Sequence, residues 1–296
     1  MQKSLILSAA VAAVFAGGAH AEELTGTLKK INDTGIITVG HRESSIPFSY
    51  LDDKQKPVGY AMDLCHQVVA AVKKKLNKPS LVVKLVPVTS QTRIPLMVNG
   101  TIDMECGSTT NSKERQKQVG FSYSYYVTAV RMAAKASAGI KTLDDLNGKP
   151  VVTTTGTTSD RYIKQNEQGK AIDVKNVYGK DHAESFLMVD TGRAAAFVMD
   201  DILLASLIAN SRNPKDFAIV GPALSVEPYG IMLRKDDPQF KKVADDTLAA
   251  IFKSGQINTI YNKWFMTPIP PKNININLPM SDKLKEAIKT PTDVGI

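Results

Sequence analysis

Four stretches of this chain hold the side chains best able to grip a charged solute. Arg42 stands in Gly40-His41-Arg42-Glu43-Ser44-Ser45, just past a β-rich run, and Arg93 closes Ser90-Gln91-Thr92-Arg93 after another. Gly107-Ser108-Thr109-Thr110 leads toward Arg115, so the hydroxyls of Ser108 and Thr110, free backbone N–H groups and a guanidinium could face one anion. The fourth is spread more widely: Thr155-Gly156-Thr157-Thr158, then His182 and Asp200. Glycine lets the backbone come close there, the threonines add hydroxyls, and Asp200 is a natural partner for an ammonium. Two anion cradles and one carboxylate suit a molecule with two carboxylates and an amine.

Each feature alone has a plainer explanation. Serine and threonine before helices are usually caps, and Asp200 could cap the helix that follows it. An arginine in a first turn is usually a surface side chain, and a lone histidine such as His182 is more often structural than a ligand contact. What separates these residues is recurrence where strands end and helices begin, which is where open α/β sheets bind ligands.

The elements that must position them alternate. Gly35 to Val39 reads as the first strand, followed by Met62, Cys65, Val68, Val69, Val72 and Leu76 at helical spacing. Leu81 to Val88 and Ile102 to Cys106 read as strands, with a short helix capped by Thr92 between them and Gly100 stopping it. Asn111 with Glu114 has the form of a capping box, and Val127 to Ala134 is extended. From Thr142 a second set begins: strands at Pro150–Thr154, near Val174 and at Ala194–Met199, with helices after Thr157-Thr158, after Asp181 and from Ile202 to Leu207. Phe217 to Val220 and Tyr229 to Leu233 are extended, and Gly221-Pro222 between them suits a crossing between lobes. Helices at Asp237-Pro238, Gln256–Trp264 and Lys283–Ile288 complete the chain, with the last residues expected to be disordered. This pattern predicts α/β architecture with mainly parallel sheets.

Composition narrows the function. Residues 1–21 have Lys3 near the start, an apolar Leu5–Phe15 core and Ala19-His20-Ala21, which is a cleavable signal peptide too short to span a bilayer. Removing it leaves about 275 residues, enough for two domains or one large one. The formal charge of +8 is scattered, and Lys73-Lys74-Lys75 looks like the solvated side of one helix, which argues against nucleic acid and for an anionic ligand. Export places Cys65 and Cys106 in an oxidising compartment, where a pair is more often bonded than free; two buried thiols are the alternative. With no histidine at ligand spacing, two cysteines make no zinc site, and neither metal nor cofactor is expected.

At these residues the chain resembles the periplasmic amino-acid-binding proteins of ABC transporters (solute-binding protein family 3), specifically the glutamate/aspartate-binding branch. Val39-Gly40-His41-Arg42-Glu43-Ser44, Thr89-Ser90-Gln91-Thr92-Arg93-Ile94-Pro95, Glu105-Cys106-Gly107-Ser108-Thr109-Thr110-Asn111 and Thr155-Gly156-Thr157-Thr158-Ser159 carry the resemblance. Met199-Asp200-Asp201, Leu233–Pro238 and Pro268–Asn273 extend it over nearly the whole mature chain. It implies a two-lobed, type II periplasmic-binding-protein fold: lobe 1 from 22–127 plus 227–296, lobe 2 from 128–226, joined by a two-stranded hinge. Arg115, Ser108, Thr110, Thr157 and Thr158 would hold an α-carboxylate, Asp200 the α-ammonium, and Arg42, Ser90, Arg93 and His182 a side-chain carboxylate. The partners implied are L-glutamate or L-aspartate and an inner-membrane ABC permease, for a monomer in the periplasm. Ile231 stands where some members have cysteine, so the partner of Cys106 stays open.

Rival readings use the same residues. Serine, histidine and aspartate could be imagined as a nucleophilic triad, but there is no Gly-x-Ser-x-Gly elbow, and the arginines leave a serine no evident base. An exported dehydratase on this fold, or a binder of glutamine or another polar amino acid, is the alternative to a non-catalytic acidic-amino-acid binder. Arg42 and Arg93 argue against a neutral side chain, because buried charge left unpaired is costly.

Overall fold

The computed structural model describes residues 23–169 and 171–296. The signal-peptide reading of 1–21 lies outside the described residues. A helix that sequence spacing did not reveal comes first: α1 (Gly26–Thr34) closes on Gly35, whose left-handed φ of 70° lets its N–H return to the Ile31 carbonyl at 2.8 Å. Strand β1 (Ile36–His41) follows, then a small antiparallel sheet of β2 (Ser44–Ser45), β3 (Ser49–Leu51) and β4 (Pro57–Val58). Helix α2 (Tyr60–Lys75) buries Met62, Cys65, Val68, Val69 and Val72, the apolar stripe read from spacing. Strand β5 (Val82–Pro87), helix α3 (Arg93–Val98) and strand β6 (Met104–Cys106) come next, and β1 pairs in parallel with both β5 and β6.

After the single-turn helix α4 (Lys113–Gln116), strand β7 (Val119–Lys135) runs unbroken for 17 residues. Beyond it lie β8 (Pro150–Thr154), α5 (Thr158–Gln168), β9 (Lys175–Gly179), α6 (His182–Asp190), β10 (Ala196–Asp200) and α7 (Asp201–Asn210). The chain returns along β11 (Phe217–Arg234), 18 residues long, then forms α8 (Pro238–Lys253), α9 (Gln256–Phe265) and α10 (Asp282–Lys289). Eight strands form one sheet in the order β5-β1-β6-β11-β7-β10-β8-β9. Its two outer trios are parallel, and the long β7 and β11 join them as an antiparallel pair.

Several local readings are corrected. The two extended segments around Gly221-Pro222 are one strand: the register shifts between Val220 and Ser225, and the Arg131 Nε donates to the bulged Gly221 carbonyl at 3.0 Å. The break read at Gly221-Pro222 is a bulge within that strand, since both flanks pair with β7. The cap of α4 is Ser112, whose Oγ accepts from the Arg115 N–H, because Asn111 is drawn away to the Asp293 carbonyl and Glu114 to Lys117. Thr92 caps nothing; its hydroxyl accepts from the Thr89 N–H. The last residues, expected to be disordered, pair with this region: the Ser124 N–H donates to Thr292 and the Lys113 N–H to Ile296, each at 2.9 Å.

Packing holds the middle of the sheet. Tyr126 of β7 and Tyr229 of β11 lie among Phe48, Tyr60 and Phe265, with Tyr126 stacked on Phe265 at 5.3 Å and Phe48 edge-on to Tyr229 at 5.2 Å. Ring pairs of this geometry contribute about 0.5–1.5 kcal/mol each beyond burial. A disulfide joins Cys65 of α2 to Cys106 of β6. Closing a loop of that length removes chain entropy equivalent to roughly 3–4 kcal/mol.

Candidate functional site

The ends of β5, β6, β8, β9 and β10 turn their polar residues toward one small cavity. Nine of the ten residues predicted from sequence line it. Ser90 and Arg93 come from the β5–α3 connection, and Ser108, Thr110 and Arg115 from the segment after β6. Thr157 and Thr158 come from the start of α5, His182 from the start of α6 and Asp200 from the end of β10, joined by Met199. Arg42 is not in the lining; it stands immediately behind, its guanidinium 3.5 Å from the His182 Nε2. A wider hollow of about 700 Å³ beside Asn147, Glu167 and Asp173 opens to solvent and gathers no arginine.

Two guanidiniums line this small volume and a third stands directly behind it, and the surroundings explain how. Arg93, 2% exposed, donates to the Thr109 hydroxyl and lies 3.9 Å from the buried Glu105, which also accepts from Thr109. Arg115 donates to the Thr110 carbonyl at 2.9 Å and, across the cavity, to the Gly156 carbonyl at 3.2 Å. Burial and then the Arg93 charge pull Arg42 down to about 10 and Arg115 to about 9. Cations that depress one another in this way favour an anion between them. Unpaired atoms show where a solute would bond: Arg42 Nη1, Arg93 Nε, Ser90 Oγ, Ser108 Oγ and Asp200 Oδ1 are all buried without a protein partner.

The remaining polar groups have assigned tasks. Asp200 occupies the N-cap position of α7 yet makes no cap bond; its Oδ2 accepts instead from the Tyr229 hydroxyl of β11. Burial, followed by the nearby Glu227 charge, lifts the Asp200 carboxyl well above its usual range. Thr157 is a cap, its Oγ1 accepting from the Asp160 N–H at 3.1 Å. His182 heads a hydroxyl relay: Ser185 can only donate to the Asp181 carbonyl, so Thr154 donates to Ser185, and His182 Nδ1 donates to Thr154. Nε2 is left as an acceptor aimed at Arg42. Burial and the Arg42 and Arg93 charges hold this imidazole well below 6.5.

Sequence reasoning missed Glu105, Glu227 and Tyr229. Glu105 was visible as an acid inside an otherwise buried strand run, where a charge must find a partner, whereas Glu227 is flanked by exposed and half-buried residues. Tyr229 carried no such signal.

The strand-end cavity, ringed by buried charges of both signs and placed beside two long antiparallel strands, defines a solute-binding protein of the two-lobed α/β kind. The chain belongs to the bacterial extracellular solute-binding proteins, family 3, whose sequence model matches residues 37–267. It is 53% identical over 291 residues to the L-glutamate/L-aspartate-binding protein of Pseudomonas aeruginosa, spanning 98% of this chain and 96% of the relative. It is 50% identical over 292 residues to the glutamate/aspartate import solute-binding protein of Escherichia coli, spanning 98% and 97%. Among solved structures, a mutant of ArgBP from T. maritima superposes with a TM-score of 0.71 at 28% identity, covering 80% of this chain and 98% of that one. The expected type II periplasmic-binding-protein fold is thereby established. Among the described residues, no helix is long and apolar enough to cross a membrane.

Proposed function

We propose that this chain is a periplasmic, non-catalytic binding protein that captures L-glutamate or L-aspartate and delivers it to an ABC permease. The observation that carries the reading is that Arg93 and Arg115, with Arg42 directly behind His182, gather at one small cavity that also holds the unpartnered Oδ1 of Asp200. Arg115 would take the α-carboxylate, Asp200 the α-ammonium, and Arg93 with Ser90 and Arg42 the side-chain carboxylate. A guanidinium presents a planar fork that pairs both oxygens of a carboxylate. High identity to glutamate/aspartate-binding proteins over nearly the full length supports the same ligand class.

Lobe 1 (22–127 plus 227–296) and lobe 2 (128–226) would close on the ligand about β7 and β11. Contacts across the cavity, such as Arg115 to Gly156, form only when the lobes meet. A solute that satisfies both sides stabilises the closed form, while an empty cluster of cations favours the open one. A micromolar or tighter Kd, about 8 kcal/mol or more, suits scavenging.

The test is calorimetry on protein unfolded and refolded to strip endogenous solute, titrated with glutamate, aspartate, glutamine and other amino acids. Glutamate and aspartate should bind and none should turn over. Arg93→Met or Arg42→Met should weaken glutamate by roughly tenfold or more while glutamine changes little, since a lost charge-assisted bond is worth about 1.5–3 kcal/mol. Equal loss for both amino acids, or product formation, would contradict the proposal.

A further inference from the structure

Glu227 is a buried acid to which no part of the proposed mechanism assigns a task. It lies in β11 opposite Thr128 of β7, 3% exposed. Its Oε2 accepts from the Thr110 hydroxyl at 2.5 Å and from the Thr158 hydroxyl at 2.7 Å, and its Oε1 accepts from Ser225 at 2.9 Å. Thr110 follows β6 and Thr158 opens α5, so one carboxylate ties together two walls of the cavity that come from opposite halves of the sheet.

The consequence lies in the hydrogens. A hydroxyl has one hydrogen and two lone pairs; once the hydrogen is committed to Glu227, the oxygen can only accept from whatever else it meets. Thr110 therefore offers the cavity an acceptor, where the family resemblance assigned it to a carboxylate. Asp200 adds a second acceptor through its unpartnered Oδ1. An ammonium has three N–H groups to place and no lone pair, so it fits oxygens of this polarity, whereas an uncharged methylene in its place leaves them unsatisfied.

We infer that Glu227 is a positioning residue for amine selection: by holding the Thr110 and Thr158 hydroxyl hydrogens it turns that wall into an ammonium acceptor and clasps the two halves around it. This rests on the ligand class proposed above and adds the residue that separates amino dicarboxylates from plain ones. Glu227 does not touch the ligand in this scheme; it acts through the threonines.

The experiment compares glutamate with glutarate, which has the same two carboxylates and no amine, on stripped wild-type protein, Glu227→Leu and Thr110→Val. Glutamate is read by calorimetry and the weaker glutarate by thermal shift at tens of millimolar. Leucine at 227 offers no acceptor, so the Thr110 and Thr158 hydroxyl hydrogens are freed to turn toward the cavity. Glu227→Leu should lose glutamate affinity by about tenfold or more while glutarate holds or improves, so that the ratio of the two falls. Thr110→Val should move the ratio the same way, which keeps the inference testable if the first variant folds poorly. Proportional loss of both ligands, or glutamate affinity within twofold of wild type, would overturn the role of Glu227. A wild-type protein that ignores glutamate and aspartate would instead defeat the ligand assignment itself.

Discussion

At the scale of the residue, the site is a balance of buried charges. Three guanidiniums are offset by Glu105 behind Arg93, and by Glu227 and Asp200 on the far side of Arg115. Asp200 also faces Asp201 and Tyr229, and in this company its carboxyl sits well above the usual 3.8. An ammonium placed at Oδ1 pulls that value back down, so ligand binding releases a proton wherever the unliganded carboxyl is partly protonated. Glutamate affinity should therefore fall as pH drops through the raised value toward the ordinary carboxylate range. His182 stays neutral until well below 6.5 and adds no step near neutrality. Titrations in buffers of contrasting ionisation enthalpy would read the proton release, and affinity that rises on acidification would contradict the assignment. The arginines were legible in the sequence because they follow strand ends. Glu227 was not, because its partners lie 117 and 69 positions away and nothing local marks them.

At the scale of the element, close approach matters as much as charge. Gly156 has φ +80°, and a Cβ there would lie 2.7 Å from Gln91 Cα and 3.0 Å from the Ser90 carbonyl oxygen, on the opposite wall. Gly156→Ala should hinder closure twice over, through backbone strain of about 1–2 kcal/mol and through that clash, lowering glutamate affinity by tenfold or more. Calorimetry gives the affinity; a variant that binds as tightly as wild type would show that this approach is not needed for binding. The alternation of strands and helices was readable from periodicity, as was the apolar stripe of α2. The continuity of β11 was not, since Gly221-Pro222 has the composition of a break and only pairing with β7 makes it a bulge. The cap of α4 was misplaced by one residue because Asn111 and Ser112 are both good caps, and a remote contact to Asp293 decides between them.

At the scale of the whole molecule, two parallel strand trios share a long antiparallel pair, and the charged cavity lies alongside that pair. The aromatic cluster on Tyr126 and Tyr229 and the Cys65–Cys106 disulfide hold one side firm. Two cysteines alone could not name their bond; the approach of α2 to β6 does. The central claim is that guanidiniums from distant parts of the chain and a lone acid from the other half grip the two ends of one amino acid. The most direct measurement is a crystal structure of stripped protein reloaded with glutamate. In that structure the α-ammonium should lie against Asp200 Oδ1, the α-carboxylate on Arg115 and the side-chain carboxylate between Arg93 and Arg42. Glutamate seated in another groove, or inverted so that its ammonium faces the arginines, would contradict that claim.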